Sequence, residues 1–202
     1  MLDRLRAAGC PEEKLRLQRT AIPIYGVDHK QRQIPPEDGQ WRIFQACRLV
    51  EKKGLPVSLQ VFKKILTEHP KARFEIAGTG PLEEPLRKQC QELGIANQVD
   101  FLGFLDQEEI LEKAYQSHLF LHPSQMGTDK NQEGVPNAML ETMATGLPAI
   151  ATRHGGIPEA ITHAVSGMLS DERDVEDLSR GLVLGIECHP IRSGFIPQRA
   201  RW

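Results

Sequence analysis

From about residue 40 onward, strand-like and helix-like stretches take turns along the chain, and this alternation restricts the possible folds more than any other feature. "RIFQACRL" (42–49) reads as a strand and "PVSLQVFKKILTEH" (56–69) as an amphipathic helix. "ARFEIAG" (72–78) and "PLEEPLRKQCQELG" (81–94) form a second such pair, the helix ending at Gly94. "QVDFLG" (98–103) precedes "DQEEILEKAYQ" (106–116), a helix capped by Asp106. "HLFLHPS" (118–124) and "PAIAT" (148–152) read as further strands, and "DVEDLSRGLVLGIE" (174–187) as a late helix. Strands separated by helices of this length predict an α/β fold, a doubly wound parallel sheet with helices as crossovers.

In open parallel sheets, ligands bind beyond the carboxyl ends of the strands. The polar and glycine residues fall at those ends: Arg48 after the first strand, Gly78 and Gly80 after the second, Gly103 and Phe104 after the third, His122 to Ser124 after the fourth, and His154 to Gly156 after the fifth. The stretch "EGVPNAMLETMATGLPAIATRHGGIPE" is the densest of these regions. Glu133 precedes a Gly-Val-Pro turn. Asn137 reads as a helix N-cap, Ala138 to Thr145 as a short helix, and Gly146 as its C′ residue. Glu141 lies four residues after Asn137 and shares its face. Leu140, Met143 and Ala144 are left to pack on a sheet. A helix N-terminus attracts anions, so two acids flanking one point to a ligand with both phosphate and hydroxyl groups.

Each candidate also has a plainer reading. Arg48 and Lys53 in "CRLVEKKG" can hold a diphosphate and stabilise charge on its departure; with Glu51 and Lys52 beside them they also fit a solvated charged turn. "GTGP" (78–81) has Glu83 where a dinucleotide fingerprint needs its third glycine, which argues against hydride transfer and fits a tight turn. Glu133 and Glu141 could be surface acids, His154 a ligand contact or an exposed histidine, and His122 a structural histidine. No Asp-x-Asp pair offers a Mg²⁺ bridge, and no Ser-His-Asp or Cys-His set is visible.

Bulk properties narrow the classes. With 25 basic and 27 acidic residues the net charge is −2, which gives no electrostatic case for nucleic acid, and 5% aromatic residues argue against a stacking platform for single strands. "MLDRLRAAG" carries charges and no apolar run, so no signal peptide is expected, and no stretch is apolar enough for a membrane span. Four scattered cysteines (Cys10, Cys47, Cys90, Cys188) fit a reducing, cytoplasmic setting. Residues 1–40 are expected to be a lead-in segment, with strand-like character in "LRLQRTAIPIYGVD" (15–28) and a polar linker or surface loop in "HKQRQIPPEDGQ" (29–40). Residues 41–186 are expected to form one α/β domain, and 187–202 an irregular tail.

Five motifs in order, "CRLVEKKG", "IAGTGP", "VDFLGFL", "EGVPNAMLETMATGLPAIATRHGGIPE" and "GMLS", resemble the C-terminal domain of family 4 retaining glycosyltransferases of the GT-B fold. The similarity runs over about residues 15–185 and is nearest to the bacterial colanic acid and exopolysaccharide type. It implies that 41–186 is a Rossmann-like nucleotide-sugar-binding domain, in which Glu133 binds donor-sugar hydroxyls, Arg48 and Lys53 clamp the diphosphate, and the backbone of Gly134, Val135, Pro136 and Asn137 embraces sugar and diphosphate. It further implies that Glu141 holds the ribose, that Phe104 and Leu105 border the base, and that Gly78 and Gly80 line the donor site. No metal or other cofactor is implied. The partners are a nucleoside-diphosphate sugar, a lipid-linked or saccharide acceptor, and an N-terminal acceptor domain that this chain lacks. Localisation is expected in the cytoplasm, peripheral to the inner membrane. Cys47 departs from the pattern, standing where the family usually has glycine. Two other readings stay open: a nucleotide-sugar-binding module without catalysis, and a sugar-nucleotide epimerase of the same architecture.

Overall fold

The computed structural model describes residues 2–16, 18, 21–23, 25–32 and 36–187. After helix α1 (Leu2–Ala7) the elements follow as β1 (Arg42–Ala46), α2 (Leu55–Glu68), β2 (Arg73–Ala77), α3 (Glu83–Glu92), β3 (Val99–Gly103), α4 (Gln107–Gln116), β4 (Leu119–His122), α5 (Asn137–Ala144), β5 (Ala149–Thr152), α6 (Ile157–Ala160), β6 (Gly167–Ser170) and α7 (Val175–Glu187). The six strands form one parallel sheet in the order β3-β2-β1-β4-β5-β6. Strand order reverses between β1 and β4. That is where a doubly wound sheet opens a crevice at its carboxyl edge.

The alternation of side chains along each strand builds two cores. Ile43, Leu119, Leu121 and Ile150 join Leu59, Phe62 and Leu182 on the face covered by α2, α3 and α7. Phe44, Phe120, Ala149 and Ala151 join Met139, Met143 and Ile157 on the face covered by α4, α5 and α6. Strands β4 and β5 are buried along their whole length, as expected for central strands covered on both faces. Phe44 and Phe120 meet edge to face at 5.9 Å across the β1–β4 pair. Truncating either one to alanine costs on the order of 3–5 kcal/mol. These two strands therefore give the crevice a rigid floor.

From residue 41 to 187 the predicted strands and helices are all present, with four differences. Strand β1 stops at Ala46, so Arg48 lies in the following loop and not at the strand end. In α5, Pro136 and not Asn137 takes the N-cap position: its φ of −67° and ψ of 123° are non-helical, and its carbonyl accepts from Leu140 N–H. The face of α5 packed on the sheet carries Met139, Thr142 and Met143, while Leu140 and Ala144 are half-buried. β6 and α6, four residues each, were not anticipated. Asp106 caps α4 as expected, in a reciprocal capping box with Glu109.

Among the described residues of 15–28 there is no strand. In the stretch read as a polar linker, Arg32 is buried: its guanidinium donates to the carbonyls of Ala114, Ser117 and Thr145 at the ends of α4 and α5. Burial lowers its pKa to about 10, against a small opposing effect of Tyr115. The expected tail, 187–202, lies outside the described residues from 188 onward, as does Cys188.

Candidate functional site

Four loops meet over the β1–β4 switch point. The turn Glu51–Lys53 follows β1, and Gln125, just beyond β4, ties to it through Gln125 N–H to Lys52 O (2.9 Å) and Gln125 Nε2 to Glu51 O (3.3 Å). The Lys53 side chain is only 10% exposed and contacts Glu133 Oε2, itself on a side chain 12% exposed. Lys52 Nζ stands 4.0 Å from Glu133 Oε1 and donates to Asn131 Oδ1 (3.3 Å) and Gln132 O (3.4 Å). An ion pair this buried needs close charge compensation to offset lost hydration. The charged turn is thus turned inward at Lys53 and outward at Arg48, whose side chain is exposed and engages no hydrogen bond or ion pair among the described residues.

The loop that carries Glu133 is clamped from the β5 side. Glu133 N–H donates to His154 Nε2 at 3.0 Å, and Gly156 N–H to Gly134 O at 3.3 Å. Gly155 has φ +55°, and a Cβ there would stand 2.1 Å from Glu133 O, so no other residue fits without moving the loop. His154 is 1% exposed, which settles its open reading against a plain surface histidine. Its Nδ1 lies 2.6 Å from Glu172 Oε1.

Two groups beneath the loop lack partners. Both ring nitrogens of His122 are unbonded among the described residues, as is Ser124 Oγ, although both residues are fully buried. The His122 ring stacks on Phe120 at 5.9 Å. Burial, with the neighbouring charge of Lys53, drives its pKa well below the ordinary histidine value, so it is neutral. A neutral imidazole offers one N–H and one lone pair. Buried polar atoms almost always find partners, so these three atoms stand out.

The other candidates sit along the same rim. Glu141, half-buried one turn into α5, accepts from Gln107 Nε2 at 3.1 Å; burial raises its pKa and this bond partly opposes it. No side chain caps the start of α5, so its first N–H groups are open to an anion. Asn137 and Gly134 are exposed there, Pro136 is buried, and Val135 packs on the core beneath. Phe104 is 78% exposed after β3, while Leu105 is half-buried. Gly78 and Gly80 press against the loop after β1: a Cβ on Gly78 would stand 1.9 Å from Cys47 O, and one on Gly80 2.5 Å from Leu49 O. Packing alone explains these two glycines, and they shape the Arg48 loop. Cys47 closes that contact with its carbonyl; burial pushes its thiol up to about 12 against the opposing charge of Lys53, so it stays protonated.

Lys53 and Glu133 are therefore in contact, with Arg48 in the loop after β1 and Glu141 in the first turns of α5, which follows the Glu133 loop. Sequence reasoning missed Lys52, Gln107 and Glu172. Lys52 was masked by its charged neighbours, and Glu172 lies in no motif and acts only through the fold. Among the described residues no group of three or more His, Cys, Asp or Glu is placed to hold a metal ion, and no helix is long and apolar enough to cross a membrane.

The family model described as "Glycosyl transferases group 1" matches residues 27–201. The chain is 36% identical to the amylovoran biosynthesis glycosyltransferase AmsK of Erwinia amylovora, over 87% of this chain and 43% of that protein. It is 32% identical to the colanic acid biosynthesis glycosyltransferase candidate WcaL of Salmonella typhimurium, over 89% of this chain and 44% of that protein. The chain thus spans under half the length of these curated relatives. Among solved structures, the lipopolysaccharide outer core galactosyltransferase WaaB matches with a TM-score of 0.74 at 19% identity, over 92% of this chain and 50% of that one. Anabaena HepE, solved with UDP and glucose, matches with a TM-score of 0.67 at 22% identity, over 77% and 41%. At these identities the two structures speak for the fold alone.

Proposed function

Because the chain belongs to the group 1 glycosyl transferases, we propose that it is the donor-binding half of a retaining, nucleotide-sugar-dependent enzyme of cell-surface polysaccharide synthesis. The observation that carries this reading is the Lys53–Glu133 pair, buried at the switch point of the sheet beside an uncapped helix start. In the resting site the two charges compensate each other. A diphosphate entering between Arg48 and the start of α5 takes over the Lys53 ammonium, and the Glu133 carboxylate is released to accept from sugar hydroxyls. Arg48 and Lys53 then stabilise the charge that grows on the departing diphosphate, as positioned cations do. No step is assigned to a metal or cofactor.

The acceptor hydroxyl attacks on the face from which the leaving group departs, which retains the anomeric configuration. Its binding surface is assigned to an acceptor domain paired with this half, and the acceptor to a saccharide or lipid-linked saccharide at the inner membrane face. Titration calorimetry with UDP- and GDP-sugars tests the donor site. Binding of at least one sugar nucleotide by the parent chain, lost in Glu133→Ala and in Lys53→Ala, is the expected result. Unchanged affinity in both variants refutes the site.

A further inference from the structure

We infer that Glu172 and His154 are a positioning pair, a clasp that ties both ends of the segment 126–133 and so sets where the Glu133 carboxylate stands. The tautomer follows from the bonds. Glu133 N–H can only donate, so His154 Nε2 carries the lone pair at that 3.0 Å contact. The ring proton of the neutral imidazole is therefore on Nδ1, which donates to Glu172 Oε1 at 2.6 Å. The second oxygen of the same carboxylate, Oε2, accepts from Met126 N–H at 2.8 Å. One side chain from the β6–α7 loop thus holds the start of the segment directly and its end through His154.

Two further features belong to the clasp. Arg173, next in the chain, donates to Gln125 Oε1 (3.2 Å) and Met126 O (3.3 Å). It has φ +63°, a conformation uncommon for a residue with a side chain, and such strain persists only where surrounding contacts enforce it. Glu172 is suited to its role as an ionised acceptor: burial alone would raise its pKa, but the Met126 N–H, the His154 bond and the charge of Arg173 outweigh that and lower it.

In its consequence for sugar binding the inference rests on the donor-site reading above. Glu133 is held at its backbone by His154 and at its carboxylate by Lys53. When a diphosphate draws Lys53 away, the backbone anchor remains, and the freed carboxylate stays aimed at the sugar. Loss of the clasp should therefore spare contacts to the nucleotide and weaken those to the sugar.

The test uses the full chain. Glu172→Gln keeps the volume but turns an N–H toward one of two N–H donors. Hydrogen exchange read by mass spectrometry is expected to quicken roughly tenfold in 126–134, while β4 and β5 keep their protection and Tm moves by only a few degrees. His154→Gln retains an acceptor and a donor and should hold exchange near that of the parent; His154→Leu should loosen it as Glu172→Gln does. In the parent, ¹⁵N spectra of His154 should show the Nδ1–H tautomer. Calorimetry with UDP and UDP-glucose should show UDP affinity unchanged in Glu172→Gln and any advantage of UDP-glucose over UDP reduced roughly tenfold. Exchange that rises evenly across the sheet, exchange that does not change, or an Nε2–H tautomer would each overturn the clasp. If the parent binds no sugar nucleotide at all, the donor-site reading falls, while exchange and tautomer still decide the clasp.

Discussion

The Lys53 ammonium touches the Glu133 carboxylate across the gap between the loops after β1 and β4, although one residue comes from the start of the domain and the other from its second half. This contact joins the two halves of a doubly wound sheet where their strand orders part. It also makes the site's charges interdependent.

Removal of either partner leaves a charge without its main counterion in a nearly dry setting. Glu133→Ala leaves Lys53 and Lys52 facing one another, and a loss of roughly 3–5 kcal/mol in urea unfolding is expected. Lys53→Ala should cost less, because Lys52 still stands 4.0 Å from Glu133. Replacing the pair together, by Met at 53 and Leu at 133, should restore most of the stability and none of the donor binding.

Arg48 presents the opposite case. Its side chain is exposed and has no bonding partner among the described residues, so Arg48→Ala should change stability by no more than about 0.5 kcal/mol. A charge-assisted contact to phosphate is worth roughly 1.5–3 kcal/mol, so UDP affinity should fall by about ten- to a hundredfold. Chemical denaturation and calorimetry on one preparation separate the two effects.

Gly155 and Gly134 form a matched pair of substitutions. A Cβ at Gly155 would stand 2.1 Å from Glu133 O with φ at +55°, whereas nothing lies within 4 Å of one at Gly134. Gly155→Ala should lower Tm and displace the Glu133 loop. Gly134→Ala should leave Tm unchanged, and differential scanning calorimetry reads both.

Acid should destabilise the fold through two histidines held neutral. Burial, with the nearby charge of Arg42, lowers His118 to about 4, and its Nδ1 accepts from Arg42 N–H. Burial, with the charge of Lys53, also holds His122 well below its ordinary value. A group with a depressed folded pKa contributes stability that is present above its unfolded value and lost as pH falls through the folded one. Tm should therefore decline as pH drops from about 6.5 toward 4, and His118→Gln should flatten the slope. Glu141 acts in the reverse sense: its raised pKa gives stability at low pH that is lost as pH rises past the ordinary carboxylate range, so Glu141→Gln should gain relative to the parent near neutrality.

Much of the layout was readable before the structure because it rests on local chemistry. The apolar runs of β1, β4 and β5, the helix periods of α2 and α4, and the Asp106 cap are written in neighbouring residues. So was the gathering of polar groups at strand ends, since a parallel sheet puts all those ends on one edge. What stayed hidden depends on distant partners. Pro136 takes the cap in place of Asn137 because its ψ of 123° makes it the last non-helical residue, an angle the residue type does not fix. The inward turn of Lys53, the anchoring of Arg32 under two helix ends, and the Glu172–His154 link all require contacts between elements far apart in sequence.

A crystal structure of the chain with a bound sugar nucleotide, chosen as the best binder in a calorimetric screen, measures the central relationship most directly. The expected density has the diphosphate between Arg48 and the first turn of α5, within reach of Lys53, with the sugar on Glu133 and the ribose on Glu141. A nucleotide seated at the amino edge of the strands, with the Lys53–Glu133 pair intact, would contradict it.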